Sequence, residues 1–551
     1  MHSHVLHLSR APSPARDRSP AAQRRNRGAV NPFDIPGAEA TLELVQEYFA
    51  NTGLLFPYIH RENFIATFKV AAANEFRKVR RSWLGLLNMI LAMSISTAYP
   101  SDLSYEQRKI KSQVYFQRAM ALCEKQIRFG TSLEIVQFLL LMSQYLQGTE
   151  SSIQTWNIHG LAVKAAYQLG LHSKQALGRY SALDREVRIR TWYGCILLDR
   201  TLSMTLGRPS CIPEAHVRID LPIRTSEMTP SDDDSQLWLN DLSLEFFKST
   251  ISLSTILGKV LDILYDNNLD CDTPQNIFSL AGQILQIEHQ LSESQNEFPE
   301  TLRLLHVTDL LHHTLPEPVP MLKLRVILTL RYHNLRILAH RPLLHKYLEA
   351  IGGPDANKSQ FSMLCQVGGN SLRACVHSAT TIIKLVAYAV NTKQGKGLLG
   401  AWWFSLYYTF NAVLVLYSGY LIQKFTSSIS ELDPLHDIGI EFERDLIPQA
   451  VECLVSLDSG NIMTEKCARY AKKLERVMRT LNQVPEEGNV PVAADRNIRS
   501  GVDEFEAALW PDIIDIGNTP LGSDLNEFMV PGDLDFLSSF DLQTNAPANP
   551  S

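Results

Sequence analysis

The chain has 551 residues, 45% of them hydrophobic, with 52 basic residues against 58 acidic ones for a formal charge of -6. That length and apolar content suffice for one large core or two ordinary ones, and the near balance of charge excludes a global field for gripping polyanionic nucleic acid. The eight cysteines, Cys123, Cys195, Cys211, Cys271, Cys365, Cys375, Cys453 and Cys467, form no CxxC pair and no tight cluster. Metal modules need ligands a few residues apart, so the spacing argues against zinc and reads as reduced residues, most of them buried in helices.

Residues 1–38 are rich in Pro, Ser, Ala and Arg and poor in large apolar side chains, so the expectation is a disordered basic segment. Its opening, Met1–Arg10, lacks the apolar run of a signal peptide, which predicts an intracellular protein. Arg24, Arg25 and Arg27 have the character of a nuclear import signal or a weak phosphate-binding arm, and equally of a solvated tail.

From residue 39 to 482 apolar residues recur every three or four positions with little alternation, which predicts one all-α, multi-helix domain. The spacing predicts helices over 42–49, 83–98, 107–127, 133–146, 153–169 and 188–206. Further ones follow over 237–264, 321–340, 372–390, 398–422 and 467–481. Connections carry Gly and Pro, as in Gly207-Arg208-Pro209, Pro316-Glu317-Pro318 and Gly352-Gly353-Pro354. No fixed period repeats, which disfavours a solenoid. Residues 398–422 hold no charge and have the length of a membrane span, but Trp402, Trp403, Tyr407, Tyr408, Asn411 and Tyr417 lie through its middle. Spanning helices hold Trp and Tyr at their ends, so a buried core helix is expected and no membrane partner.

Residues 483–551 are expected to form a disordered acidic-hydrophobic tail. After Arg499 there is no Lys or Arg, and carboxylates alternate with large apolar groups around Phe505, Trp510, Phe536 and Leu537. Mutual repulsion of the acids keeps such a segment open, so its aromatics stay available to a partner's groove. An activation segment engaging the transcription machinery and an inert terminus are the two readings.

Catalytic signatures are lacking: no Gly-rich phosphate loop, nucleophile elbow or HExxH helix occurs, so no enzyme is expected and no cofactor. His312-His313 and the His340/His345 pair lack metal spacing to Cys or carboxylates.

Arg188-Ile-Arg190-Thr-Trp192-Tyr-Gly-Cys-Ile-Leu-Leu-Asp199-Arg200, followed by Gly207-Arg208-Pro209, resembles the signature of the fungal-specific transcription factor domain of the binuclear zinc-cluster family. Leu55-Phe-Pro-Tyr-Ile-His60 with Phe64, Gly160 through Leu169-Gly-Leu-His172, Ile212-Pro213, Asp220-Leu-Pro222, Leu338-Ala-His-Arg341-Pro342 and Trp402-Trp403 with Tyr408 are similar to further parts of it. The resemblance spans roughly residues 42–423 and implies an all-helical regulator of RNA polymerase II transcription acting in the nucleus. DNA and the transcription machinery are the implied partners, as are homodimers or heterodimers with related regulators. The family's six clustered cysteines, which hold two zinc ions, have no counterpart here, since no cysteine precedes Cys123. DNA contact through an upstream module or through a partner both stay open, as does a helical scaffold or dominant-negative partner without its own reader.

The same residues have a packing reading. Trp156, Gly160, Val163 and Tyr167 share a helical face on which Gly160 would let another helix come close, and Trp192, Ile196 and Asp199 share a second. A carboxylate on an apolar face needs a partner, for which Arg188, Arg190, Arg200 and Arg208 are the candidates. Gly207 suits a helix end and Pro209 stops the helix continuing. Trp192, Asp199, Arg200, Gly207, Arg208, Pro209, Gly160 and His172 are thus expected to be structural.

Overall fold

A computed structural model describes residues 31–77, 79–98, 103–149, 152–224, 234–265, 276–311, 317–352, 358–392, 395–428, 443 and 445–483. Of the expected basic head only residues 31–38 are described, where Asp34 pairs with Arg118 and Ala38 already belongs to the first helix; the rest of the head, the acidic tail beyond Gln483 and His312-His313 lie outside the described residues. The described residues form helices α1 (Ala38–Ala50), α2 (Arg61–Ala73), α3 (Arg81–Ser96), α4 (Tyr105–Phe129), α5 (Leu133–Gln147), α6 (Ser152–Gln168) and α7 (Ala182–Leu206). There follow α8 (Asp234–Leu264), α9 (Ile277–Asn296), α10 (Val319–Gly352), α11 (Lys358–Asn391), α12 (Trp402–Ser428), α13 (Leu446–Leu457) and α14 (Ile462–Gln483). Short helical turns join some of them, and no strand occurs among the described residues.

The starts follow capping chemistry. Ser104 and Gln107 form a reciprocal capping box at α4, and the Ser132 and Ser181 hydroxyls accept from the first turns of α5 and α7. That cap places the start of α7 six residues before the expected one. At its far end Gly207 takes the left-handed conformation, φ 58° and ψ 37°, as its position before Arg208-Pro209 implied.

One continuous apolar core runs from Val45 on α1 to Val477 on α14. α3 packs on α4 and α5, α10 runs along α11, and α11 in turn packs on α12 and α13. Gly85 permits the α3–α4 contact, because a β-carbon there would sit 2.1 Å from Cys123 Sγ. The expected core cysteines are buried except Cys211, which is exposed, and Cys271, which lies outside the described residues. The uncharged stretch forms α12, whose Trp402, Tyr407, Tyr408, Asn411 and Tyr417 are all buried. It starts four residues later than expected, beyond Gly400 at φ 70°. No described helix is long and apolar enough to cross a membrane.

Three helices escaped the sequence reading. α2 buries only Phe64, Phe68 and Ala71, a narrow stripe among charges. In α9 the buried series Ile277, Leu280, Ile284, Ile287 and Leu291 is blurred by exposed Phe278 and Leu285. α13 is a short amphipathic segment of 12 residues. A further difference is α10, expected to stop at His340 yet continuous through Pro342 to Gly352.

Candidate functional site

α7 carries most of the signature, and its register turns Trp192, Ile196 and Asp199 into the core. Asp199 is fully buried, and its two carboxylate oxygens each accept a 3.0 Å hydrogen bond, one from the Cys211 amide and one from the Ile212 amide. The carboxylate thereby ties the loop after Gly207-Arg208-Pro209 back onto the helix that precedes it. Of the four arginines considered as its partner, Arg200 stands beside it, at 3.6 Å, and reaches on to Glu214 at 3.7 Å. The others turn elsewhere: Arg188 stacks 3.8 Å over Tyr180, Arg190 pairs with Glu186 at 2.7 Å, and Arg208 lies 5.8 Å over Trp156. Buried His159 approaches Asp199 to 3.5 Å without hydrogen-bond geometry.

Gly160 differs from expectation. A β-carbon there would meet nothing within 4 Å, so no helix approaches at that point. Against Arg200 it is Gly258 on α8 that makes room, where a β-carbon would lie 2.9 Å from Arg200 Nε. His172 sits edge-on to Tyr167 at 4.9 Å and 6.0 Å from fully buried Trp192, and Tyr167 also hydrogen-bonds His216 at 2.9 Å. Burial and the nearby His216 hold the His172 imidazole below its ordinary pKa. Asp199 thus secures backbone, while Trp192, His172 and Arg208 lie against aromatic rings.

A second constellation surrounds Pro342. A proline inside a helix removes the N–H that would reach the carbonyl four residues back, here Leu338. Tyr265, just past the end of α8, donates its hydroxyl to that carbonyl at 2.7 Å, so the helix continues with no orphaned acceptor. Arg341 lies 5.6 Å over the Tyr265 ring. Two residues before Pro342, His340 hydrogen-bonds Glu288 on α9 and Ser371 on α11, both at 3.0 Å, and Arg336 donates to the same carboxyl at 2.8 Å. Burial alone would raise the Glu288 pKa, but the hydrogen bonds from His340 and Arg336 prevail and lower it to about 2. His345 pairs instead with Glu349 at 3.0 Å, so the two histidines serve separate ion pairs.

Against this break lies a cavity of about 310 Å³ between α8, α9, α10 and α12. Leu264, Leu280, Ile337, Leu414 and Val415 give it an apolar body, Asn334, Asn411 and Ser418 add polar groups, and Arg341, His345 and Lys346 bring cations to one end. Sequence reasoning quoted Arg341 and Pro342 as motif residues and passed over the cavity, because Tyr265 and Asn411 come to it from distant segments.

The described domain is thus all-helical, with buried Asp199 holding the loop after α7 and a largely apolar cavity, partly open to solvent, between α8, α9, α10 and α12. Residues 45–317 match the fungal specific transcription factor domain. The chain is 32% identical to the transcription factor FBD3 of Gibberella moniliformis over 82% of its own length and 59% of that protein. It is 31% identical to the transcription factor FBD3 of Fusarium pseudograminearum, over 86% of this chain and 62% of that one. The sorbicillinoid biosynthetic cluster transcription factor 2 of Penicillium rubens is 25% identical over 77% of this chain and 61% of that protein. The chain therefore belongs to the fungal-specific transcription factor domain family. It spans about three fifths of the length of these relatives.

Proposed function

We propose that the chain is a nuclear regulator of RNA polymerase II transcription in which the helical domain, residues 39–482, governs an activating tail, residues 483–551. The observation that carries the reading is the match across 45–317 to a transcription factor domain, in a chain whose last segment alternates acids with Phe, Trp and Leu. The clustered cysteines of a zinc reader are absent from this sequence, so we assign DNA contact to a separate module or to a related partner in a dimer. Arg24, Arg25 and Arg27 would serve nuclear import, and Phe505, Trp510, Phe536 and Leu537 would engage the machinery.

Charge supports control of the tail by the domain. α14 is the last described helix before the tail, and it exposes Arg469, Lys472 and Arg476 along one face. Those three make no ion pair among the described residues, and their sign is opposite to that of the tail. A ligand or partner that loosens this hold would release the tail.

The test fuses the chain, with and without residues after Arg499, to an unrelated DNA-binding domain and reads a reporter in a fungal host. Activation by the full fusion and silence of the truncated one are expected. Silence of both under every nutrient condition makes the chain a scaffold or dominant-negative dimerisation partner.

A further inference from the structure

Arg331, midway along α10, is a cation that meets no acid. Its Nη1 donates to the Thr250 hydroxyl on α8 at 2.8 Å, and its head lies 5.4 Å over the Phe56 ring and 5.2 Å over the Phe246 ring. The Tyr408 hydroxyl of α12 stands beside it. No ion pair joins it to any described residue. Other arginines of the core are treated differently, since Arg108 pairs with Asp458 and Arg200 stands beside Asp199. Burial lowers the Arg331 pKa, because the charge loses water without gaining a carboxylate in exchange.

The surroundings narrow the class of anion that fits. Arg331 lines a cavity of about 60 Å³, partly open to solvent, between α7, α8, α10 and α12. Neither this cavity nor a second one of about 20 Å³ that Arg331 also lines has an Asp or Glu among its described lining residues. Leu197, Met204, Leu253, Leu257 and Leu335 give the larger one an apolar wall. Two polar groups of that wall are poorly used within the chain. Ser254 is 8% exposed and its hydroxyl has no hydrogen-bond partner among the described residues, while the Asn334 amide donates to the Met204 thioether at 3.4 Å, a weak acceptor. A cavity needs roughly 10–15 Å³ to hold one water, so this one suits about four to six non-hydrogen atoms. A guanidinium offers a planar fork that matches a carboxylate, and a single cation balances a single negative charge.

We infer that this cavity binds a short-chain monocarboxylate of about two to four carbons, its carboxylate on Arg331 and its alkyl group against the leucines of α7, α8 and α10. Such an occupant would join the signature helix α7 to α10 and α12. Its meaning for regulation rests on the function proposed above, whereas binding is measured on the chain itself.

The experiment titrates the full chain, in a buffer free of carboxylates, with propionate, propionamide, propylamine and chloride, followed by ligand-observed NMR. Propionate is expected to bind with a Kd on the order of 1 mM, the scale for so small a ligand, and propionamide at least tenfold more weakly. Arg331→Met should abolish propionate binding, Arg331→Lys should retain it within about tenfold, and Ser254→Ala should weaken it severalfold. Folding of the three variants is checked by circular dichroism. The comparison of propionate with its uncharged amide needs no variant, so the site stays testable if a substitution unfolds the chain. Equal affinity for propionate and propionamide, binding by Arg331→Met as tight as by the native chain, or no binding of propionate would overturn the site. Chloride binding as tightly as propionate would reduce it to an adventitious ion and overturn it too. Binding that leaves the reporter fusion unchanged when propionate is fed to the host keeps the site and removes its part in regulation.

Discussion

Asp199 holds two loop amides with one buried carboxylate, so its charge is matched to N–H dipoles more than to a cation. Hydrogen bonds to a charged group contribute more than neutral ones, and Asn offers one acceptor oxygen where two are used. Asp199→Asn is therefore expected to cost about 2–3 kcal/mol in urea denaturation and to loosen the 208–213 loop in hydrogen exchange. Glu288 supplies the pH dependence. Its folded pKa is lowered to about 2 from an ordinary 4.5, so its contribution is fully present above the unfolded value. That contribution is lost as pH falls from about 4.5 towards 2, in total on the order of 2–3 kcal/mol. Stability measured against pH should fall through that window in the native chain, and Glu288→Gln should flatten this part of the curve.

At the scale of single helices, α10 shows how a sequence rule is overridden. Pro342 reads as a stop, yet the helix continues because Tyr265 donates to the Leu338 carbonyl in place of the missing amide. Tyr265→Phe should cost about 1–2 kcal/mol by leaving that carbonyl unsatisfied. In a Pro342→Ala background, where residue 342 regains its own N–H, the same change should cost much less, and a double-mutant cycle measures the difference. Two glycines offer a second comparison between helices. Gly160→Ala faces open space and should stabilise α6 by up to about 1 kcal/mol through helix propensity. Gly258→Ala meets Arg200 Nε and should destabilise by about 1–3 kcal/mol, read by thermal denaturation of the two variants side by side.

Across the whole molecule the opposition of charge between α14 and the tail yields the remaining prediction. Reversing Arg469, Lys472 and Arg476 to Glu should raise reporter output of the full fusion several-fold without effect on the truncated one, and a gain in both would exclude contact with the tail. The all-α class was readable throughout, since three- and four-residue apolar spacing is a local property. So were the buried cysteines, the Gly207 helix end and the core placement of α12, each fixed by the side chains of its own segment. The partner of Asp199 was not readable, because the amides that hold it carry no sequence signal. Gly160 and Gly258 likewise look alike in sequence, and only the path of Arg200 separates them. The sequence by itself determined the all-α class, the Gly207 helix end and the family resemblance, because these are carried by neighbours within a few positions. Tertiary structure alone decided how Pro342 is tolerated and where the cavity lies, because Tyr265, Arg341 and Asn411 meet only once α8, α10 and α12 have packed.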